Sequence, residues 1–202
     1  MEAFKLRLCS MHGPESTMDP DSNIMKVYNV CSEMVVDRGF TIVDSVPTVD
    51  ELYARIEGME HVIVGECESK KIRLFFLLEE RVPVRVVRQL MEDALDVSKT
   101  VIVSMDGPTS FTTKETVSLW SGRVQFLKYK DMYTNVTRHQ CVPQHSLFKG
   151  ERKYDDAHYP KILITDKVVE YYDFQVGDLV KIVRRFGVPE EREYLRLVCH
   201  PV

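Results

Sequence analysis

Pro160-Lys161-Ile162-Leu163-Ile164-Thr165-Asp166, Val168-Val169-Glu170-Tyr171-Tyr172 and Val176-Gly177-Asp178-Leu179-Val180-Lys181-Ile182-Val183-Arg184-Arg185 follow one another almost without interruption in the last third of the chain. The pattern reads as one small module. A short strand meets Asp166 as a cap residue, one or two helical turns carry the Tyr-Tyr pair, Gly177-Asp178 turns the chain, and a second strand closes the unit. Tyr171 and Tyr172 are adjacent on a helix, so they face different directions and only one can enter a core. The other is expected at the surface or at an interface. Lys181 alone interrupts the apolar run Val180 to Val183, which suggests a strand buried on one face with Lys181, Arg184 and Arg185 near the other. Nothing in the module has the look of catalysis.

Around this unit stand 202 residues, 44% hydrophobic and 29% charged, the mixture of an ordinary globular protein with room for one or two domains. The formal net charge of −4 is unevenly placed. From Arg138 onward 11 Lys and Arg stand against 10 Asp and Glu, which leaves 16 against 21 before it. That balance argues against an autonomous nucleic-acid binder, whose affinity rests on a basic face that displaces counterions from phosphate. The longest apolar run, Leu74 to Leu78, is too short to span a bilayer, and Met1 to Ser22 lacks the apolar core of a signal peptide, so no membrane contact is expected. Five cysteines at scattered spacing fit reduced thiols and an intracellular protein.

Residues 1–22, with Pro14 and Pro20, are expected to be a disordered lead-in. Ile24, Val27, Tyr28, Cys31, Met34 and Val35 then follow helical spacing up to Gly39. A strand at Phe40 to Val43, a capping box at Thr48-Val49-Asp50-Glu51 and a hairpin of His61 to Gly65 with Ile72 to Leu78 come next. Val84, Val87, Leu90, Met91, Ala94 and Leu95 give the following helix an apolar stripe after Pro83. Thr100 to Ser104 reads as a buried strand, Thr112-Thr113-Lys114-Glu115 as the start of a helix, and Arg123 to Lys128 as a further strand. Strands alternating with helices imply an α/β fold with a mixed sheet, and the polar stretch after Tyr129 puts the boundary to a small α+β domain near residue 137. The expected domains are therefore 23–137 and 138–202.

These segments resemble the fifth of the subunits shared among eukaryotic nuclear RNA polymerases, whose C-terminal half is similar to a small component of archaeal RNA polymerase. The family's C-terminal module reads as a Leu-Pro-basic-Ile strand, an Asp-Pro-Val-Ala-Arg-Tyr-Tyr-Gly helix and a Gly-Asp-Val-Val-Lys-Ile-Ile-Arg strand. Here they become Tyr159-Pro160-Lys161-Ile162, Asp166-Lys167-Val168-Val169-Glu170-Tyr171-Tyr172-Asp173 and Gly177-Asp178-Leu179-Val180-Lys181-Ile182-Val183-Arg184. Tyr194-Leu195-Arg196-Leu197-Val198 is similar to the family's final Tyr-Arg-Leu-Val. Asn135-Val136-Thr137 with His139, and Val142-Pro143-Gln144-His145, resemble its junction, and Asp37-Arg38-Gly39-Phe40 the end of its first helix.

Departures mark a divergent copy. Lys167 replaces Pro, Asp173 replaces Gly, the link Ser146 to His158 is short, and Arg185-Phe186-Gly187-Val188-Pro189-Glu190-Glu191 does not reproduce the family's Arg-Pro-Ser-x-Thr-Ala-Gly loop. If position 173 needs a positive φ, Asp tolerates it better than most residues and less well than Gly. The resemblance implies a structural subunit without catalytic residues or cofactors. Its N-terminal jaw domain would lie beside downstream DNA, and its C-terminal domain would assemble on the largest subunit. A nuclear location follows from the family, nucleolar if the copy serves polymerase I. The family includes copies dedicated to one polymerase class and viral versions.

Tyr171, Tyr172, Lys181, Arg184 and Arg185 are the expected assembly interface, and His139, Pro143 and His145 the junction. Arg81, Arg85 and Arg88, at i, i+4 and i+7 around a helix start, offer a basic strip toward downstream duplex DNA. A solvated face balanced by Glu79, Glu80 and Glu92 is the competing reading. Glu66-Cys67-Glu68-Ser69-Lys70 has an acid-x-Lys spacing that in metal-dependent nucleases orients water on Mg²⁺, with Asp44 or Asp50 as a second ligand. A solvated hairpin tip is the preferred reading. Cys9 with His12, His139 with Cys141 and His145, and Cys199 with His200 lack the paired spacing of a structural zinc site, so no metal is expected. A free-standing interaction adaptor on the same fold is the alternative to a polymerase subunit.

Overall fold

Helix α1 (Pro20–Asp37) begins earlier than the lead-in expectation would have it, because Pro20 occupies the first turn, where a locked φ and a missing N–H cost nothing. Ile24, Val27, Tyr28, Cys31, Met34 and Val35 are all buried along one face of it. Gly39 closes it at φ +87°, with the Phe40 amide donating to the Val35 carbonyl at 3.2 Å. The computed structural model describes residues 20–77, 79, 81–92, 94, 96–185 and 191–201, so most of the expected lead-in lies outside the described residues. The chain divides into two units, up to Thr134 and from Asn135 onward.

Unit 1 is an α/β structure on a five-stranded mixed sheet of order β1-β2-β3-β5-β7. After β1 (Thr41–Ile42), Thr48 caps α2 (Val49–Glu57): the Glu51 amide donates to Thr48 Oγ1 and the Thr48 amide to Glu51 Oε2 at 2.8 Å. β2 (Ile63–Cys67) and β3 (Lys70–Phe76) form the hairpin, each shifted two residues toward the turn from its apolar pattern because Glu66, Lys70 and Lys71 sit on paired, exposed or half-exposed positions. Glu68 takes the positive φ of 52° that so tight a turn requires. β4 (Arg81–Val82), unread in the sequence, precedes α3 (Val84–Glu92). Central strand β5 (Lys99–Ser104) is buried from Thr100 to Ser104, as a parallel strand covered on both sides must be.

β6 (Gly107–Pro108) pairs with β4, and α4 (Ser110–Trp120) starts at the cap Thr109, three residues before the expected Thr112, because Thr109 Oγ1 accepts from the Thr112 amide. Thr112 Oγ1 instead donates to the Val82 carbonyl at 2.8 Å, tying this helix to β4. β7 (Val124–Lys128) completes the sheet in parallel with β5. Phe75 and Ile102 pack with Val87, Leu90 and Met91 of α3 on one face of the sheet. On the other, α1 lies so close to β2 that a Cβ on Gly65 would come within 2.7 Å of Val35 Cγ1.

Unit 2 is built on a four-stranded sheet of order β8-β10-β11-β9. Its strands are β8 (Gln144–Leu147), β9 (Lys161–Leu163), β10 (Leu179–Arg185) and β11 (Glu191–Cys199), with helix α5 (Lys167–Tyr172) between β9 and β10. β8 and β11 flank β10 antiparallel, and β9 runs parallel to β11. The fold class expected from the sequence, α/β followed by a small α+β domain, is the one observed.

Candidate assembly interface

α5 has only six residues, too few to persist alone, so its ends are fixed chemically. Asp166 Oδ1 accepts from the amides of Val168 (2.9 Å) and Val169 (3.4 Å). At the other end Asp173 adopts φ 57°, ψ 38°, its amide donates to the Glu170 carbonyl, and the Phe174 amide donates to the Val169 carbonyl at 3.1 Å. This is a Schellman arrangement, and its left-handed residue, Gly in the pattern that this module resembles, is here Asp. Val169 and Phe174 pack together with Ile162, Val180, Ile182 and Val198, the apolar contact that accompanies such a cap.

The two tyrosines separate as adjacent helical positions must. Tyr171 is buried and its hydroxyl accepts from Asn135 Nδ2 at 2.9 Å, so it is a core residue and not part of an exposed interface. Asn135, itself buried, turns its Oδ1 to the Thr137 amide and hydroxyl. Tyr172 is half-buried and stacks on Phe174 with ring centroids 5.4 Å apart.

Strand β10 corrects a second expectation. Lys181 and Arg184 are three residues apart, and period-two alternation puts them on opposite faces. Val180, Ile182 and Arg184 share the α5 face with Tyr194 and Arg196, which are registered against Ile182 and Val180. Leu179, Lys181 and Val183 lie on the other face, where Leu179 packs with Tyr159 and Leu197, and Lys181 pairs with Glu193 at 2.5 Å. Arg185 continues the ladder opposite Glu191, and the loop 186–190 lies outside the described residues.

At the junction, His139 Nδ1 accepts from the Cys141 amide at 3.2 Å, and His145 Nδ1 lies 2.7 Å from the Pro143 carbonyl. His145 belongs to β8 and is registered against Ile182, on the α5 face. Burial pushes its pKa down from the ordinary histidine value, against the Pro143 carbonyl and Asp166, which favour the charged form; Arg184 and Arg196 reinforce the depression. Sequence reasoning used Asn135, Tyr194 and Arg196 for the family resemblance and named none of them as a site residue. Alternation along Tyr194 to Val198 was the available signal.

The family model for the RNA polymerase Rpb5 C-terminal domain matches residues 134–198, the span that begins one residue before Asn135 and ends in β11. Polymerase subunit Rpo5 of the archaeon Methanococcus vannielii is 37% identical over 71 residues, which cover 31% of this chain and 91% of that protein. The chain belongs to the Rpb5 family. Similarity to the longer Rpb5 relatives extends over both units. DNA-directed RNA polymerase V subunit 5A of Arabidopsis thaliana is 23% identical over 186 residues, covering 82% of this chain and 83% of that one. RPABC1 of RNA polymerases I, II and III from Caenorhabditis elegans is 22% identical over 193 residues, with 80% and 88% covered.

In this Rpb5-family chain the basic strip foreseen on unit 1 is not one helix face. Arg81 belongs to β4, whereas Arg85 and Arg88 belong to α3, because the helix starts only after Pro83. All three are exposed, and Arg88 is paired with Glu115 of α4 at 2.8 Å. Glu66 of the nuclease-like segment pairs with Lys71 at 3.0 Å, and Asp44 is 4.0 Å from Arg55, so each acid already faces a cation of its own. Among the described residues no group of three His, Cys, Asp or Glu side chains comes together to hold a metal ion. Cys9 and His12 lie outside the described residues.

Proposed function

We propose that this chain is a non-catalytic structural subunit of a DNA-directed RNA polymerase, in which unit 1 contributes to the jaw beside downstream DNA and unit 2 assembles on the largest subunit. One observation carries the reading. The model of the Rpb5 C-terminal domain falls on residues 134–198, the C-terminal sheet with α5, and a segment of about that length is shared at 37% identity with an archaeal polymerase subunit of which 91% is covered. A module retained where the rest of the chain is lacking is the part tied to the common task of the relatives, and that task is named by the polymerases to which they belong.

Specialisation for one polymerase class fits the same chain. Relatives are named for polymerases I, II and III, for V, and for IV and V together, so this fold serves in both shared and dedicated copies. Lys167 and Asp173, where the family pattern has Pro and Gly, fit a copy that has diverged toward one partner. Action in the nucleus, or in the nucleolus for polymerase I, goes with this role. Any contact of the acidic unit 1 with downstream duplex through Arg81, Arg85 and Arg88 is expected to be weak and sensitive to salt.

Affinity purification of the tagged full chain, followed by peptide identification, tests the proposal. The two large polymerase subunits should be recovered in stoichiometric amounts, and the identity of the largest names the class served. Recovery of other proteins in the absence of both large subunits would refute the reading in favour of a free-standing adaptor on this fold.

A further inference from the structure

The two faces of the β10–β11 ribbon treat charge in opposite ways. On the face of Leu179 and Val183, the cation Lys181 has its anion in Glu193 at 2.5 Å. On the α5 face the register gathers Arg184, Arg192 and Arg196 around Tyr194, and no carboxylate among the described residues is ion-paired with any of the three. Arg184 and Arg192 are direct cross-strand partners, both exposed. Like charges directly opposite across an antiparallel pair destabilise it, so the free subunit carries a repulsion that an incoming anion would relieve. Arg184 also stands over the Tyr194 ring, its guanidinium carbon 5.8 Å from the centroid.

The surroundings suit a peptide better than a single small anion. Tyr194, registered against the buried Ile182, and Leu147, registered against the buried Val180, are both on this face and each 42% exposed, and they supply apolar area beside the charges. Where β10 passes the junction, Arg184 also lines an open groove of about 570 Å³ with Gln140 to Gln144 and Val183, of which Gln144 and Val183 belong to the opposite face of the sheet. Exposed Tyr and Arg together are the residues that dominate protein–protein contacts, and planar guanidinium groups match carboxylates two hydrogen bonds at a time. A nucleic acid is the less favoured occupant, because unit 2 is close to neutral and carries no broad basic field.

We propose that Arg184, Arg192 and Arg196 with Tyr194 form the recognition face for an acidic, carboxylate-rich segment of the subunit on which this chain assembles. The inference rests on the polymerase reading and deepens it, by moving the contact to the α5 face of the sheet and assigning the partner's chemistry. Lys181, on the opposite face, is not part of it.

The test compares tagged full chains bearing Arg184→Glu with Arg192→Glu, the neutral Arg184→Gln with Arg192→Gln, and Lys181→Glu, all purified from nuclease-treated extract at rising salt. Both arginines are exposed, and thermal melts close to wild type are expected of both double variants. The charge-reversed pair should lower recovery of the large polymerase subunits by about tenfold. The neutral pair should lower it less and flatten its dependence on salt, and Lys181→Glu should leave it within about twofold of wild type. Wild-type recovery by both arginine pairs overturns the inference while leaving the polymerase reading intact. Loss of wild-type recovery on nuclease treatment overturns it in favour of nucleic acid. Failure of the wild-type chain to recover large subunits from both nuclease-treated and untreated extract overturns the polymerase reading and this inference with it.

Discussion

Gly65 offers the most direct test of how unit 1 is packed. It lies in β2 beneath α1, and a Cβ added there would meet Val35 Cγ1 at 2.7 Å, Ile72 Cγ2 at 2.9 Å and Phe40 Cβ at 3.0 Å. Three neighbours that close cannot all move aside, so Gly65→Ala forces α1 away from the sheet and should cost about 2–3 kcal/mol, the upper range for overpacking a dense core. Val35→Ala, at a fully buried position, should cost about 2 kcal/mol on its own through lost transfer energy and a cavity. Combined, the two changes compensate. The cavity receives the new methyl group, and the double variant should be more stable than the sum of the single effects by at least about 1 kcal/mol. Urea unfolding followed by fluorescence suits the measurement, because Trp120 is the single tryptophan and packs against the core of unit 1. Gly65→Ala should lower the midpoint by roughly 1 M. Additive costs, or a Gly65→Ala variant as stable as wild type, would refute the close approach of α1 to β2.

Three further outcomes concern unit 2. Asp166→Ala removes the acceptor of two α5 amides and should destabilise the unit by about 1 kcal/mol, read by hydrogen exchange at Val168 and Val169. Asp173→Gly relieves a left-handed residue but loosens the unfolded chain, so a gain of no more than about 1 kcal/mol is expected in thermal melts, whereas Asp173→Val should lose stability. The pKa of His145 is lower folded than unfolded, so below the ordinary histidine value near 6.5 the unfolded chain binds more protons. Stability should therefore be intact above that pH and decline as pH falls through it, and His145→Gln should remove this part of the slope in melts taken across the range.

How much of this was readable depended on whether a signal was local. The α1 stripe, the Thr48–Glu51 capping box and the buried run of β5 are local patterns with a single structural solution. β8 is different. Gln144-His145-Ser146-Leu147 has no apolar alternation of its own and is a strand because β10 offers it a ladder. β4 and β6, two residues each, exist through pairing with each other and through the Thr112 hydroxyl on the Val82 carbonyl. On α5, the adjacency of Tyr171 and Tyr172 announced one core and one outer ring, but the choice between them rests on Asn135, far away in sequence. The grouping of Lys181 with Arg184 failed for a simpler reason, since an odd spacing on a strand changes face. The same rule, applied to Tyr194 and Arg196, would have found the arginine cluster.

The register of the β10–β11 ribbon is held from the end away from its loop. The Gly177 amide donates to the Val198 carbonyl, the Val198 amide donates to the Asp178 carbonyl, and β9 runs beside Leu197 to Cys199. With that end clamped, the pairing from Leu179 with Leu197 to Arg184 with Arg192 is set at the β9 side of the sheet. A one-residue slip of β11, by contrast, would send Arg192, Tyr194 and Arg196 to the far side and bring Glu193 and Leu195 beneath α5. Descendants of this chain can therefore vary a β11 side chain only within the chemistry of its own face, because each residue of β11 remains bound to its side of the sheet.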